Sequence, residues 1–169
     1  AGGIIPDTDS IITNEKGIFL AITTADCLPL FILDPKKEAI ALIHVGWRGL
    51  SLDIIGKTIK QMSKNFGSIP EDLIIGIGPG IGICHFEVKE DVANKFGKYQ
   101  KAIQRRNGKI FIDLKQIAFE ELLTEGVKPE NIEINPDCTY DEDKKYFSYR
   151  RDKTLPLQAN LVVIGLNQK

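Results

Sequence analysis

Residues 18–50 read IFLAITTADCLPLFILDPKKEAIALIHVGWRGL, and this stretch decides the fold. Three short runs of β-branched and aliphatic residues, Ile18–Thr24, Leu28–Leu33 and Ala39–His44, are expected as strands. The last two are separated by the turn-like Asp34-Pro35-Lys36-Lys37. Continuous apolar runs of this length fit strands buried on both faces. Against that background Asp26, Cys27 and His44 each need a reason to be there, because an unpartnered polar group in apolar surroundings is costly.

Working outward, the period changes after Gly49. Leu52, Ile55, Ile59 and Met62 fall on one face of an expected helix over Ser51–Phe66, capped by Ser51 and closed near Gly67. Leu73–Gly78 reads as a strand leading into Gly78-Pro79-Gly80-Ile81-Gly82. A second helix is expected over Glu87–Phe96. A third is expected over Leu114–Thr124, with Asp113 as N-cap and Gly126 just past its C-terminus. Ile110–Ile112, Ile132–Ile134 and Asn160–Ile164 are further strand candidates. No internal repeat, low-complexity tract or linker interrupts the chain, so the expectation is a single mixed α/β domain with helices outside a sheet core.

The 169 residues are 43% apolar and 27% charged, with a formal net charge of −1. That composition supports a packed core and leaves no electrostatic footprint for a nucleic acid or an anionic membrane. No apolar run is long enough to span a bilayer. Three cysteines at irregular spacing do not form a disulfide framework, which points to a reducing cytoplasm.

With only two histidines in the chain, Cys27 and His44 at the ends of neighbouring apolar segments are the first candidates for chemistry. Asp26 beside the thiol and Arg48 beyond the imidazole add charge where a structural strand end would carry none. A thiol and an imidazole side by side permit two chemistries: His44 as general base for a Cys27 thiolate, or both as ligands of a catalytic metal that needs one more protein ligand. Within this sequence that third ligand would be His85 or the adjacent Cys84. IGPGIGIC, residues 77–84, lacks the Lys-Ser/Thr of a P-loop. It reads either as a turn offering amide groups to an anion or as a strand-to-helix turn that needs glycine for its geometry. Arg150 and Arg151, behind Tyr146, Phe147 and Tyr149, are a candidate fork for phosphate or carboxylate. Cys138, remote in sequence from the pair, reads as a structural thiol.

TADCLPLFILDP, HVGWRGL, IGPGIGICHFEV and CTY…FSYRRD, in this order and across nearly the whole chain, resemble the multicopper polyphenol oxidase (laccase-domain, YfiH-like) family. Its members are regarded as purine nucleoside phosphorylases with adenosine deaminase activity. The resemblance implies an αββα sandwich related to the toxin-deamidase fold, a cytoplasmic protein, and a zinc site with copper as the alternative metal. It assigns Cys27 and His44 as two metal ligands and a His of an upstream Q-V-H motif as the third. No histidine precedes His44, and the chain opens at Ala1 without an initiator Met. The expectation is therefore one domain over residues 1–169 lacking an N-terminal segment that carries the third ligand, with His85 as a minor candidate. After FSYRRD the family continues into a Thr-Gly-Arg stretch, where this chain has KTLPLQAN.

The resemblance and the residues converge on phosphorolysis of adenosine, inosine or methylthioadenosine to free base and ribose 1-phosphate, together with deamination of adenosine. The metal activates water or polarises the nucleoside. Arg48, with Arg150 or Arg151, clamps the phosphate, and Asp26 orients a ligand or accepts a proton. The expected partners are a small nucleoside and phosphate. The alternatives are a metal-free Cys27/His44 hydrolase or amidase, including one editing peptidoglycan precursors, and a copper polyphenol oxidase. A blue-copper site wants two histidines, a cysteine and a weak axial ligand, and Met62 lies on a helix face that reads as core.

Overall fold

The hairpin at the centre of the quoted stretch forms as its pattern demands. In the computed structural model, which describes residues 3–153, 156 and 158–167, strand β3 (Leu28–Asp34) pairs antiparallel with β4 (Ala39–Val45), Leu28 opposite Val45 and Asp34 opposite Ala39. Asp34 Oδ1 accepts from the Lys36 and Lys37 amides at 2.9 and 3.0 Å and closes the turn. Thr154, Leu155 and Leu157 of the KTLPLQAN stretch lie outside the described residues.

Three further strands complete a five-stranded sheet in the order β1-β4-β3-β5-β9: β1 (Ser10–Thr13), β5 (Ile74–Ile77) and β9 (Ile132–Ile134). Only β5 and β9 run parallel. Alternation along the strands divides the side chains between two cores. Leu28, Leu30 and Ile32 of β3, with Ala39, Ala41, Ile43 and Val45 of β4, face the larger one, which contains α2 (Ile54–Phe66) and α4 (Leu114–Thr124). Ile40 and Leu42 face the other way, with Phe31 and Leu33, against a ribbon of β2 (Phe19–Thr24) and β10 (Asn160–Gly165). The result is a mixed α/β domain: helices on one face of the sheet, the two-stranded ribbon on the other.

Burial on both faces holds for β3 and β4 but not for β2. Its alternate residues Phe19, Ala21 and Thr23 are exposed on the outer side of the ribbon, beside Leu161 and Val163 of β10. Two expected helices also differ. Residues 51–66 do not form one helix, because Asp53 adopts a left-handed conformation (φ 60°) that ends α1 (Trp47–Ser51) and restarts the chain at Ile54. Ser51 therefore caps nothing at an N-terminus; its hydroxyl donates back to the Arg48 carbonyl at 2.9 Å. The C-terminal stop is as read, with Gly67 at φ 70°.

Residues 87–96 split into β6 (Glu87–Val88), α3 (Glu90–Ala93) and a 3₁₀ turn, Asn94–Phe96. Pairing of β6 with β8 (Lys109–Ile112), itself paired with β7 (Ile103–Arg106), overrides the local helical preference. The third helix has the limits expected, and the Asp113 carboxylate accepts from the Gln116 amide at 3.1 Å.

One buried acid lies on a helix of the larger core. Glu121, 6% exposed on α4, accepts the Tyr99 hydroxyl at 3.0 Å, while its other oxygen has no partner among the described residues. Burial pushes its carboxyl up to about 7 from 4.5, although the Tyr99 bond and Lys98 oppose this. The folded protein thus binds more protons than the unfolded chain between pH 4.5 and 7, so stability falls as pH rises through that window and levels off above it. Denaturation midpoints at pH 5, 6, 7 and 8 are expected to show that the unsubstituted chain loses about 2 kcal/mol more than Glu121→Gln across the range.

Candidate active site

Parity along the central hairpin carries the two leading candidates to one location. His44 follows Ile40 and Leu42 on the ribbon side of β4, and Cys27 precedes Pro29, Phe31 and Leu33 on the ribbon side of β3. Pro29 pairs with His44, which sets Cys27 against Gly46 one step further on. A Cβ built on Gly46 would lie 3.0 Å from Cys27 Sγ, so the absence of a side chain there makes room for the sulfur. Both residues are half-buried, and His44 lines an open groove of about 1240 Å³ together with β2, Leu161 and residues near the start of the described chain.

Asp9, missed in the sequence, fixes the imidazole. Its carboxylate lies 3.0 Å from His44 Nδ1, and its carbonyl accepts the His44 amide at 2.7 Å. That engages Nδ1 and leaves Nε2 as the nitrogen for a metal or a proton, the arrangement that orients metal-binding histidines. Burial, then Asp26 and Asp9, push the Cys27 thiol up to about 11, with Arg48 pulling the other way. At neutral pH such a thiol is a weak nucleophile, and a bound cation is the natural agent to convert it to the thiolate. A thiol and an imidazole are donors of the kind that bind zinc or copper, and a tetrahedral site needs more than these two.

Asp26 is buried with φ 89°. Its carboxylate accepts the Thr139 hydroxyl and the Arg150 amide, each at 2.7 Å. Arg150 opens toward neighbouring groups as well: its Nη1 donates to the Glu87 carbonyl at 2.9 Å, and its guanidinium lies 5.5 Å from the Phe86 ring centre. Arg151 is spent differently. Its five N–H donors bind Asp152 twice and the carbonyls of Thr139, Tyr140 and Tyr146, at 2.7 to 3.0 Å. It braces the start of α5 (Tyr149–Asp152) rather than offering a fork to an anion. Arg48 is exposed and lies over the Trp47 ring at 4.5 Å.

The glycine-rich segment is a packing turn. The amides of Gly78, Ile81 and Gly82 donate to Pro29 O, Asp26 O and Cys138 Sγ, so they are occupied within the chain. A side chain on Gly80 would collide with Leu28 and come within 3.0 Å of the Asp26 carbonyl.

His85 and Cys84, the fallback ligands for Cys27 and His44, belong elsewhere. They gather with Cys138 and Asp141, one ligand atom from each lying within 4.8 Å of the others, and among the described residues this is the one group of three or more metal-capable side chains. The group is able to hold a metal ion. Cys138 is thus no isolated structural thiol. Fifty-four positions separate Cys84 from Cys138, and only the pairing of Gly80 with Cys138 brings them together, a contact no local pattern announces.

Residues 1–165 match the family described as multi-copper polyphenol oxidoreductase laccase. The chain belongs to this laccase family. It is 40% identical over 164 residues to a Bacteroides thetaiotaomicron protein named purine nucleoside phosphorylase, covering 94% of this chain and 60% of that one. Against the purine nucleoside phosphorylase YfiH of Escherichia coli the identity is 34% over 158 residues, covering 91% and 63%. The crystal structure of YlmD from Geobacillus stearothermophilus superposes with a TM-score of 0.91 at 29% identity, covering 97% of this chain and 63% of that one. The chain thus spans about three-fifths of the length of these laccase-family relatives.

The turn bearing Cys27 is held by what packs behind it, so a small change there is expected to reach the thiol. Gly80→Ala should lower stability by about 1–3 kcal/mol through overpacking against Leu28 and Asp26 and speed alkylation of Cys27. Gly3→Ala, which meets nothing within 4 Å, should change neither. Denaturant unfolding and peptide-resolved alkylation rates measure both.

Proposed function

We propose that this domain carries the metal, nucleoside and phosphate groups of a purine nucleoside phosphorylase that also deaminates adenosine. The observation that carries the reading is the emergence of Cys27 and His44 on one face, at one end of the β3–β4 hairpin, with His44 opening onto a groove large enough for a nucleoside. The names borne by the relatives support the same reading.

Cys27 and His44 would hold zinc, or alternatively copper, together with one further ligand; such a metal supplies Lewis-acid polarisation of the bound nucleoside. Asp9 keeps the His44 ring turned so that Nε2 faces the site. Arg48 and Arg150 bind and orient phosphate, Arg150 already steadied by the Glu87 carbonyl. In phosphorolysis an oxygen of that phosphate attacks C1′ of the ribose, the C1′–N9 bond breaks, and the base leaves with the electron pair and takes up a proton. In deamination water adds at C6 and ammonia departs. Asp26, whose carboxylate is filled by Thr139 and Arg150, is a positioning residue for the Cys27 turn rather than a proton acceptor. The helices on one face of the central sheet and the β2–β10 ribbon on the other correspond to the α, β and β layers of an αββα sandwich.

Two other chemistries fit less well. A metal-free Cys27/His44 hydrolase or amidase needs a thiolate that burial opposes. A blue-copper oxidase lacks its axial ligand, since Met62 is buried in the helix-side core, across the sheet from His44.

Assays of adenosine and of inosine with phosphate, following ribose 1-phosphate and ammonia, test the proposal. Cys27→Ala and His44→Ala are expected to abolish both products while unfolding as the unsubstituted chain does. Arg48→Ala should raise the KM for phosphate roughly tenfold, about 1.4 kcal/mol of binding. Full turnover by Cys27→Ala would sink the metal reading.

A further inference from the structure

The chain has a second place where a cation fits, separate from Cys27 and His44. Cys84 and His85 leave the glycine turn together, and Cys138 and Asp141 come from the segment that Gly80 pairs with. His85 Nδ1 lies 3.3 Å from Asp141 Oδ1 and 4.0 Å from Cys138 Sγ, and Cys84 Sγ lies 3.4 Å from Asp141 Oδ2. Bond lengths of about 2.0 Å to nitrogen or oxygen and about 2.3 Å to sulfur set the edges of a zinc tetrahedron at roughly 3.3–3.8 Å. These three separations lie at or near those edges and the remaining ones stay within 4.8 Å, so the four groups need only draw inward to close around an ion.

The surroundings suit ligands as well. The Gly82 amide donates to Cys138 Sγ at 3.2 Å, a bond that steadies a metal-bound sulfur. A side chain on Gly82 would press on both sulfurs, at 3.0 Å from Cys84 Sγ and 3.4 Å from Cys138 Sγ. The His85 ring is clamped flat against Tyr140, centroids 4.0 Å apart and planes 13° from parallel, which fixes the direction of Nδ1. Two thiolates, one carboxylate and a divalent ion sum to −1. Lys115, anchored on the carbonyls of Asn135 and Asp137, is near enough for its charge to act on both sulfurs.

We propose that Cys84, His85, Cys138 and Asp141 form a four-ligand structural site for zinc or a similarly thiophilic divalent cation. A metal there fastens the glycine turn to the Cys138–Asp141 segment. Both lie directly behind the catalytic candidates: Gly80 packs on Leu28 and Asp26, and Thr139 binds the Asp26 carboxylate. The site therefore tightens the scaffold of the Cys27 turn without touching substrate. Four protein ligands leave no open position for water, which separates it in kind from a catalytic centre.

Peptide-resolved alkylation of the unsubstituted chain tests this without any substitution. With zinc in slight excess, Cys84 and Cys138 should both be protected, and EDTA should expose half-buried Cys84 to rapid modification. Equal alkylation of Cys84 with and without zinc would overturn the site, whatever Cys27 does. As a second measurement, Cys27→Ser loaded with cobalt(II) should retain one ion per chain, with the thiolate charge-transfer absorption of tetrahedral coordination. That absorption should vanish in Cys27→Ser/Cys84→Ser/Cys138→Ser and weaken in Cys27→Ser/Asp141→Asn. Absorption that survives removal of both sulfurs, or none in Cys27→Ser itself, would end the proposal. Nucleoside turnover enters neither readout, so loss of this site and loss of the phosphorylase reading are told apart.

Discussion

A single buried carboxylate ties the site together. Asp26 adopts a backbone conformation that a non-glycine residue takes only under compulsion, and the compulsion is visible: the Thr139 hydroxyl and the Arg150 amide both end on its oxygens. These partners lie more than a hundred positions away in sequence. Their bonds draw the turn after β2, the segment after β9 and the start of α5 to one point. A buried acid without such donors would be protonated or expelled; with two donors it becomes a rivet. The thiol of the next residue inherits its direction from that rivet.

The central sheet then sorts its side chains into two sets by parity. One set of side chains in β3 and β4 is given wholly to the helix-side core, where Leu28, Leu30, Ile32 and Ile43 are fully buried. The other set packs on the β2–β10 ribbon until the ribbon ends, and at that margin the polar pair appears. Asp9 immediately precedes β1, the strand added beside β4, so the edge of the sheet also supplies the group that orients His44. Arg151 does comparable work at the other end of the knot, converting three of its five N–H groups into ties between α5 and the Thr139–Tyr146 segment.

The parts of this arrangement that were legible in the sequence are those governed by short-range rules. The β3–β4 hairpin, α4 with its Asp113 cap and the Gly67 stop of α2 each follow from periodicity and capping alone. The failures have a common cause. Asp53 breaks the helix expected from residue 51 because a left-handed residue is a tertiary demand, and residues 87–88 become strand because β8 offers partners. Strand β1 is short and half-polar, so Asp9 carried no signal. Motifs singled out Cys27, His44, Arg48, Arg150 and Arg151, but they could not tell a guanidinium with donors to spare from one already saturated. Nor could they tell that Cys138 lies beside Cys84 and His85, since that depends on a bridge between distant loops.

The strict alternation of β4 also constrains how the gene can change. Residues 35–38 form an exposed surface loop, the kind of place where insertions and deletions ordinarily do little harm. Here a length change that slid β4 by one residue would turn His44 into the helix-side core and present Val45 to the groove, dissolving the pair without altering either residue. The connection between the strands is therefore held to a fixed count by the placement of a residue some twenty ångströms away along the hairpin, at roughly 3.3 Å per residue. In this lineage a four-residue loop with no catalytic atom of its own should drift in composition while its length stands still.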